Sequence, residues 1–161
     1  MPVIPAIIVR IGVLLLISLL ACLIVWCGRR FVEAQRRKVL AAPPMSNTEH
    51  MLNTMNEDVT SPASPVRILA FSTEDCKQCH QLQAPALQRV RERYQDTVAI
   101  VEIDALTSPE MAQQYHILTV PSTVILDATG QARAVNYGFA NTQRLLQQVD
   151  AVLTREVPVG I

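Results

Sequence analysis

Hydrophobic and polar positions divide this chain into stretches with different periods. Across residues 11–27 the only polar side chain is Ser18. As a helix this run spans ~25 Å, slightly short of a hydrocarbon core of about 30 Å. Extension back through Val3 to Val9, with the Arg10 side chain reaching toward water, closes the gap. The pattern predicts one N-terminal transmembrane helix. From Gly28 to about Leu40 basic residues interrupt the apolar run, and the helix is free to continue through them. Residues 41–65 hold no period. They begin with Pro43-Pro44 and end with Ser61-Pro62-Ala63-Ser64-Pro65, breakers that block regular structure. Ser46-Asn47-Thr48-Glu49 fits a capping box, and Met51, Leu52 and Met55 form one weak stripe. A short helix is compatible with that stretch, and a flexible tether is the plainer reading.

Beyond Val66 short apolar runs alternate with helical stripes. Residues 67–71 read as a buried strand. Residues 76–94 read as a helix with Leu82, Ala86, Leu87 and Val90 on one face, kinked at Pro85 because a proline ring removes a backbone hydrogen bond. Residues 98–103 form a second strand, and Ser108-Pro109-Glu110 starts a helix that reaches about Tyr115. A third strand at 122–126, a turn at Ala128-Thr129-Gly130 and a fourth strand at 132–137 read as a hairpin. Asn141 caps a last helix with Leu145, Leu146, Val149 and Leu153 on its stripe. The order β-α-β-α-β-β-α implies an α/β fold with a right-handed parallel crossover and antiparallel pairing in the hairpin. Three regions follow: an anchor at 1–28, a basic juxtamembrane stretch and linker at 29–65, and a globular domain at 66–161.

Length and charge refine this picture. A chain of 161 residues holds one ordinary domain with an appendage. The formal net charge is zero, and no basic patch is interleaved with aromatics, so nothing points to nucleic acid. Arg10 precedes the apolar run, whereas Arg29, Arg30, Arg36, Arg37 and Lys38 follow it against Glu33 alone. The positive-inside rule then expects a single-pass protein with its N-terminus outside and its C-terminal domain on the cytoplasmic face. The alternative is an extracytoplasmic domain, on the side where disulfides persist. Leu19-Leu20-Ala21-Cys22 resembles a lipoprotein signal, but Leu23-Ile24-Val25-Trp26 stays apolar where such a protein turns polar. No small-residue cleavage site sits cleanly before Gly28. Cys22 and Cys27 read as small apolar packing residues.

The candidate chemistry is concentrated at Cys76-Lys77-Gln78-Cys79, which directly follows the first strand. Two thiols three positions apart can close a disulfide at the first turn of a helix, and the helix N-terminus favours the thiolate. Lys77 adds to that effect, and Glu74 and Asp75 oppose it. His80 is a further tuner of the nearby thiols. With His80 the motif also spells a c-type haem attachment site, for which Met111 or His116 could supply a second ligand. The preceding buried strand and the β content argue against haem. A zinc site from Cys76, Cys79, His80 and His116 has poor geometry, because Cys79 and His80 are adjacent. His50 and His116 read as surface residues.

The element order, the CxxC that opens the first helix of the domain and the Val120-Pro121 that opens the third strand resemble the thioredoxin family over residues 66–153. Phe71, Gly130 and Gly138 fall where thioredoxins carry matching residues. The resemblance implies a three-layer thioredoxin-like fold and a redox-active Cys76–Cys79 disulfide, with no dissociable cofactor. It implies Cys76 as the attacking thiol, Cys79 as the resolving thiol and Pro121 as the cis proline beside Cys76. The Val120 backbone would pair with a bound peptide, and Gly138 would keep the neighbouring loop close and open to it. The implied partners are protein thiols or disulfides, together with an electron donor or acceptor that the sequence does not reveal. Departures are also visible. Asp75 and Ser72 stand where thioredoxins carry Trp, and Ala70 and Ile100 replace a buried Asp–Lys pair that serves the resolving thiol. These departures predict a weaker general disulfide reductase, and they leave a non-catalytic peptide-binding module as the alternative.

Overall fold

The computed structural model describes residues 3–41 and 64–156. The proposed short helix around Ser46 to Met55 and most of the Pro-rich connector lie outside them. The chain separates into two compact units, with the division in sequence between Arg37 and Lys38. Helix α1 spans Val3–Ala41 and makes up most of the first. Its stretch Gly12–Ala41 has a mean hydropathy of 2.2 at its most apolar window, where no side chain is buried, and is long and apolar enough to cross a membrane. The basic stretch continues the helix, as the sequence allowed. Arg30 stacks over the Trp26 ring at 5.2 Å, and Glu33 faces Arg37 one turn on at 3.9 Å. The latter pair is solvent-exposed and contributes little.

The second unit is built on a four-stranded sheet in the order β2-β1-β3-β4. Its strands are β1 (Val66–Ser72), β2 (Val98–Asp104), β3 (Ser122–Leu126) and β4 (Ala132–Tyr137). β1 pairs parallel with β2 and antiparallel with β3, and β3 pairs antiparallel with β4. Helix α2 (Ala84–Tyr94) forms the crossover, α3 (Pro109–Gln114) precedes β3, and α4 (Thr142–Glu156) closes the domain. Near-continuous apolar strands are expected where a sheet is covered on both faces. Val66, Ile68, Ala70, Val98 and Ile100 face Leu87 and Val90 of α2 and Leu145 and Val149 of α4. On the other side Leu69, Phe71, Val101, Ile103 and Val124 face Met111 and Tyr115. The Phe71 and Tyr115 rings lie 6.2 Å apart and tilted. The result is the expected three-layer α/β sandwich.

Local details depart from the simplest reading. The helix before Pro85 opens into a π segment, Cys79–Gln83, in which the Ala84 N–H reaches back to the Cys79 carbonyl. A proline cannot donate to the carbonyl four residues back and crowds it, so a widened turn ahead of Pro85 relieves both problems. The inward stripe runs Cys79, Gln83, Leu87, Val90, and Leu82 is exposed. Leu82 lies one position off that 3–4 spacing, and polar Gln83 occupies the site a hydrophobic count passes over. In α4 the stripe runs Leu145, Val149, Val152, with Leu146 and Leu153 only partly buried. Ser108 is the N-cap of α3 but forms no side-chain cap bond, whereas the Asn141 Oδ1 accepts the Arg144 N–H at 2.9 Å. Asn136 of β4 and Gln148 of α4 exchange amide hydrogen bonds of 2.8 and 2.9 Å, tying helix to sheet.

The β3–β4 turn is organised by Asp127. Its Oδ1 accepts from the Thr129 N–H and hydroxyl and from the Gln131 N–H, and its Oδ2 accepts from Arg133. Burial works to raise this carboxyl, but the bonds from Thr129, Arg133 and Gln131 and the Arg133 charge outweigh it and hold it below its ordinary 3.8. A carboxyl lower in the folded than in the unfolded chain stabilises the fold above the unfolded value and loses that contribution as pH falls through the folded one. Asp127→Asn is expected to lower stability at pH 7 by about 1–3 kcal/mol. The deficit should shrink on acidification below pH 3.8. Urea unfolding of both proteins at neutral and acidic pH, followed by circular dichroism, checks this; an equal deficit at both pH values contradicts it.

Candidate functional site

Three strand ends share one rim of the sheet. Register sets Phe71 beside both Ile103 and Ser122, and Ser122 beside Tyr137. Phe71 lies near the end of β1, Ser122 opens β3 and Tyr137 closes β4. The segments 73–78, 119–121 and 138–141 therefore meet at the same end of the domain. Cys76, Pro121 and Gly138, far apart in sequence, are brought to that rim by strand pairing alone.

The first segment turns the chain from strand to helix. The Cys76 N–H donates to the Thr73 carbonyl at 3.1 Å, and the Cys76 carbonyl accepts from Cys79 at 3.0 Å and His80 at 3.2 Å. Cys76 thus stands at the start of the helical turn. It is joined to Cys79 by a disulfide, with Cα atoms 5.2 Å apart. The two sulfurs have unequal surroundings: Cys76 is partly exposed, and Cys79 is buried at 4% exposure. The Cys79 N–H points at the Cys76 Sγ from 3.1 Å. Asp75 and Lys77 are exposed beside it. The His80 Nε2 lies 2.9 Å from the Glu74 carbonyl oxygen. A carbonyl only accepts, so Nε2 carries a proton and the ring clamps the loop that holds Cys76.

The second and third segments frame this turn. The Val120–Pro121 peptide is cis. The Ser122 hydroxyl donates to the Thr119 carbonyl at 2.7 Å and holds the bend. Sheet pairing begins only at Ser122, so the Val120 backbone stands outside the ladder. Gly138 has φ +85°, and a Cβ there would meet nothing within 4 Å. Glycine is required at this position by its left-handed backbone, since there is open room for a side chain.

Two features of the rim escaped the sequence reading. Leu106, Leu118 and Phe139 are exposed at 76%, 70% and 43% on the loops around the disulfide. Periodicity assigns no role to single apolar residues in loops, so only strand register groups them. Beneath Cys79, Ala70, Gln83 and Glu102 line a small cavity. Glu102 had a visible signal, as the one charged residue inside the apolar strand Val98–Ile103. Ala70 and Ile100 are both buried in the apolar cluster. Among the described residues no three His, Cys, Asp or Glu side chains come close enough to hold a metal ion. His116 sits after α3 with φ +50° and does not join Cys76, Cys79 and His80 in such a cluster.

Gly138→Ala is expected to cost about 1–2 kcal/mol through the positive φ alone. A drop in thermal midpoint of the full-length protein checks it; an unchanged midpoint means the loop relaxes to another conformation.

Comparison with known proteins agrees with this geometry. The thioredoxin family model matches residues 47–151. The structure of chloroplastic thioredoxin z superposes with a TM-score of 0.53 at 21% identity, covering 67% of this chain and 88% of that one. Thioredoxin-2 of the malaria parasite, a component of its protein secretion machinery, gives 0.50 at 16% identity over 53% of this chain and 82% of its own. A further structure, described as a malarial protein, gives 0.50 at 17% identity over 55% and 97%. At these identities the likeness is one of fold. With the family match covering more than half of its length, the chain belongs to the thioredoxin family.

Proposed function

We propose that this protein is a membrane-tethered thiol–disulfide exchange protein acting on other proteins. The observation that carries the reading is the inequality of the paired sulfurs: Cys76 is reachable at a helix start and Cys79 is buried one turn behind it. In the reducing direction the Cys76 thiolate attacks a client disulfide, forming a Cys76–client bond and releasing one client thiolate. Cys79 then attacks the Cys76 sulfur, closes the internal disulfide and releases the second client thiolate. Two electrons pass to the client, and a partner dithiol must restore the reduced form. A client dithiol meeting the oxidised protein runs the same steps backwards.

The rim suits such a client. The unpaired Val120 backbone beside Pro121 can accept an extended peptide by strand addition, and Leu106, Leu118 and Phe139 offer apolar contact around it. Asp75, Lys77 and His80 surround the attacking sulfur and would tune its reactivity, and the Gly138 turn leaves the peptide path open. No dissociable cofactor is needed for this chemistry. Helix α1 would tether the domain to a membrane, and the basic residues from Arg29 to Lys38 favour a cytoplasmic domain.

Cys79→Ser should accumulate mixed disulfides through Cys76, seen by mass spectrometry, and Cys76→Ser should abolish exchange. Purely reversible complexes with Cys79→Ser would instead support a binding module that holds peptides without turnover. With Ala70 and Ile100 in place of a buried charged pair, insulin reduction should be slower than by a standard thioredoxin, and an equal rate contradicts this. In intact cells carrying Cys22→Ser and Cys27→Ser, a membrane-impermeant maleimide should leave reduced Cys76 unlabelled. Labelling would put the domain on the outer face.

A further inference from the structure

Resolution of a mixed disulfide needs Cys79 as a thiolate, because the thiol itself is a poor nucleophile. At 4% exposure Cys79 has little access to bulk water, so its proton needs a route out. A cavity of about 50 Å³ lies against it, bounded by Cys79 and Gln83 on the helix side and by Ala70 and Glu102 on the sheet. That volume holds at least one water.

Strand geometry explains why an acid lines it. Side chains alternate along a strand, so Glu102 shares a face with Val98 and Ile100, the face covered by α2. Its register partner on β1 is Ala70, whose methyl group leaves the space unfilled. An apolar residue here would have completed the core; an exposed carboxylate stands at the cavity mouth instead. Among the described residues the Glu102 side chain has no hydrogen bond or ion pair. Gln83 is buried at 3% exposure; its Oε1 accepts the Ala140 N–H at 3.2 Å, and its Nε2 has no partner among the described residues. A buried unpaired donor calls for an acceptor, and a water in this cavity supplies one.

We infer that Glu102 takes the proton from Cys79 during resolution, through a water held by the Gln83 Nε2. The inference rests on the exchange activity proposed above. The Cys79 S–H bond breaks, and its proton passes by the water to the Glu102 carboxylate. The Cys79 sulfur bonds to the Cys76 sulfur, and the client sulfur leaves with the electron pair of the broken bond. The other charged groups near the cavity are on the helix: His80, and Arg91 in the wider groove beside Glu102. Ala70, Phe71 and Ser72 of β1 bring none. His80 also lines the cavity; its Nε2–H is bound to the Glu74 carbonyl, so Nδ1 is its one competing acceptor, and the His80→Gln variant below distinguishes it from Glu102.

The test uses reduced full-length protein in detergent, with Cys22→Ser and Cys27→Ser, and 5,5′-dithiobis(2-nitrobenzoate) as the probe disulfide in stopped flow. Attack by Cys76 releases one chromophoric thiolate, and resolution by Cys79 releases the second. Glu102→Gln should leave the first phase unchanged and slow the second at pH 7 by roughly 10²-fold. The second phase should then rise steadily with hydroxide, whereas Glu102→Asp should keep the original pH profile. An unchanged second phase in Glu102→Gln, a slowing equal at every pH, or transfer of the effect to His80→Gln overturns the assignment. A normal first phase with no second phase in the unsubstituted protein overturns both this assignment and the exchange mechanism; loss of the effect in Glu102→Gln alone overturns only the former.

Discussion

Strand β1 is the constraint on which the domain depends. It is hydrogen-bonded on both edges, to β2 in parallel and to β3 in antiparallel register, and its side chains are buried on both faces of the sheet. Ile68, Leu69 and Phe71 are each at most 1% exposed, so each contributes about 1.5–3 kcal/mol by burial. A strand held in this way does not slip, since a one-residue shift would exchange its two apolar faces. The loop that leaves it is therefore fixed at its root. Cys76 gains its position from that root and from the helical turn that follows.

Antiparallel placement of β3 does the rest. The crossover through α2 carries the chain to β2 at one edge, and α3 returns it across the sheet so that β3 enters beside β1 from the opposite direction. This sets the start of β3 against the end of β1, and Pro121 reaches the rim that Cys76 occupies. The π turn ahead of Pro85 belongs to the same economy. It absorbs the proline without breaking the helix and presents Cys79 and Gln83 inward, toward the cavity that Glu102 borders. Tyr94 and Asp150 then tie α2 to α4. Burial, followed by the hydrogen bond to Asp150, pushes the tyrosine hydroxyl up to about 12, so it stays a donor at any ordinary pH.

The chemistry at the rim is one of contrast between neighbours. One sulfur faces solvent and a backbone N–H, and the other faces a mostly apolar pocket with one orphaned amide and one acid at its mouth. Exchange proteins need this asymmetry, because the first thiol must meet a macromolecule and the second must act only after the first has reacted. The buried Ala70 and Ile100 show that the asymmetry here does not depend on a charged pair inside the core.

Composition and spacing alone determined much of this protein. The apolar run at 11–27, the seven-element order, the CxxC at a helix start and the Asn141 cap were legible because each is a local property of period, charge or hydrogen-bonding capacity. The hairpin turn was legible from Gly130, and its Asp127 hub was not, because a carboxylate's partners are set by how the loop closes. The antiparallel seating of β3 beside β1, the π turn and the inward position of Gln83 in place of Leu82 were decided only in three dimensions. So was the meeting of Cys79 with Glu102 at one cavity, whereas the family resemblance already implied Pro121 and Gly138 near Cys76. The physical reason is the same throughout: a sequence specifies which face of each element is apolar, but which residues face each other across that core depends on register and packing between elements far apart in the chain.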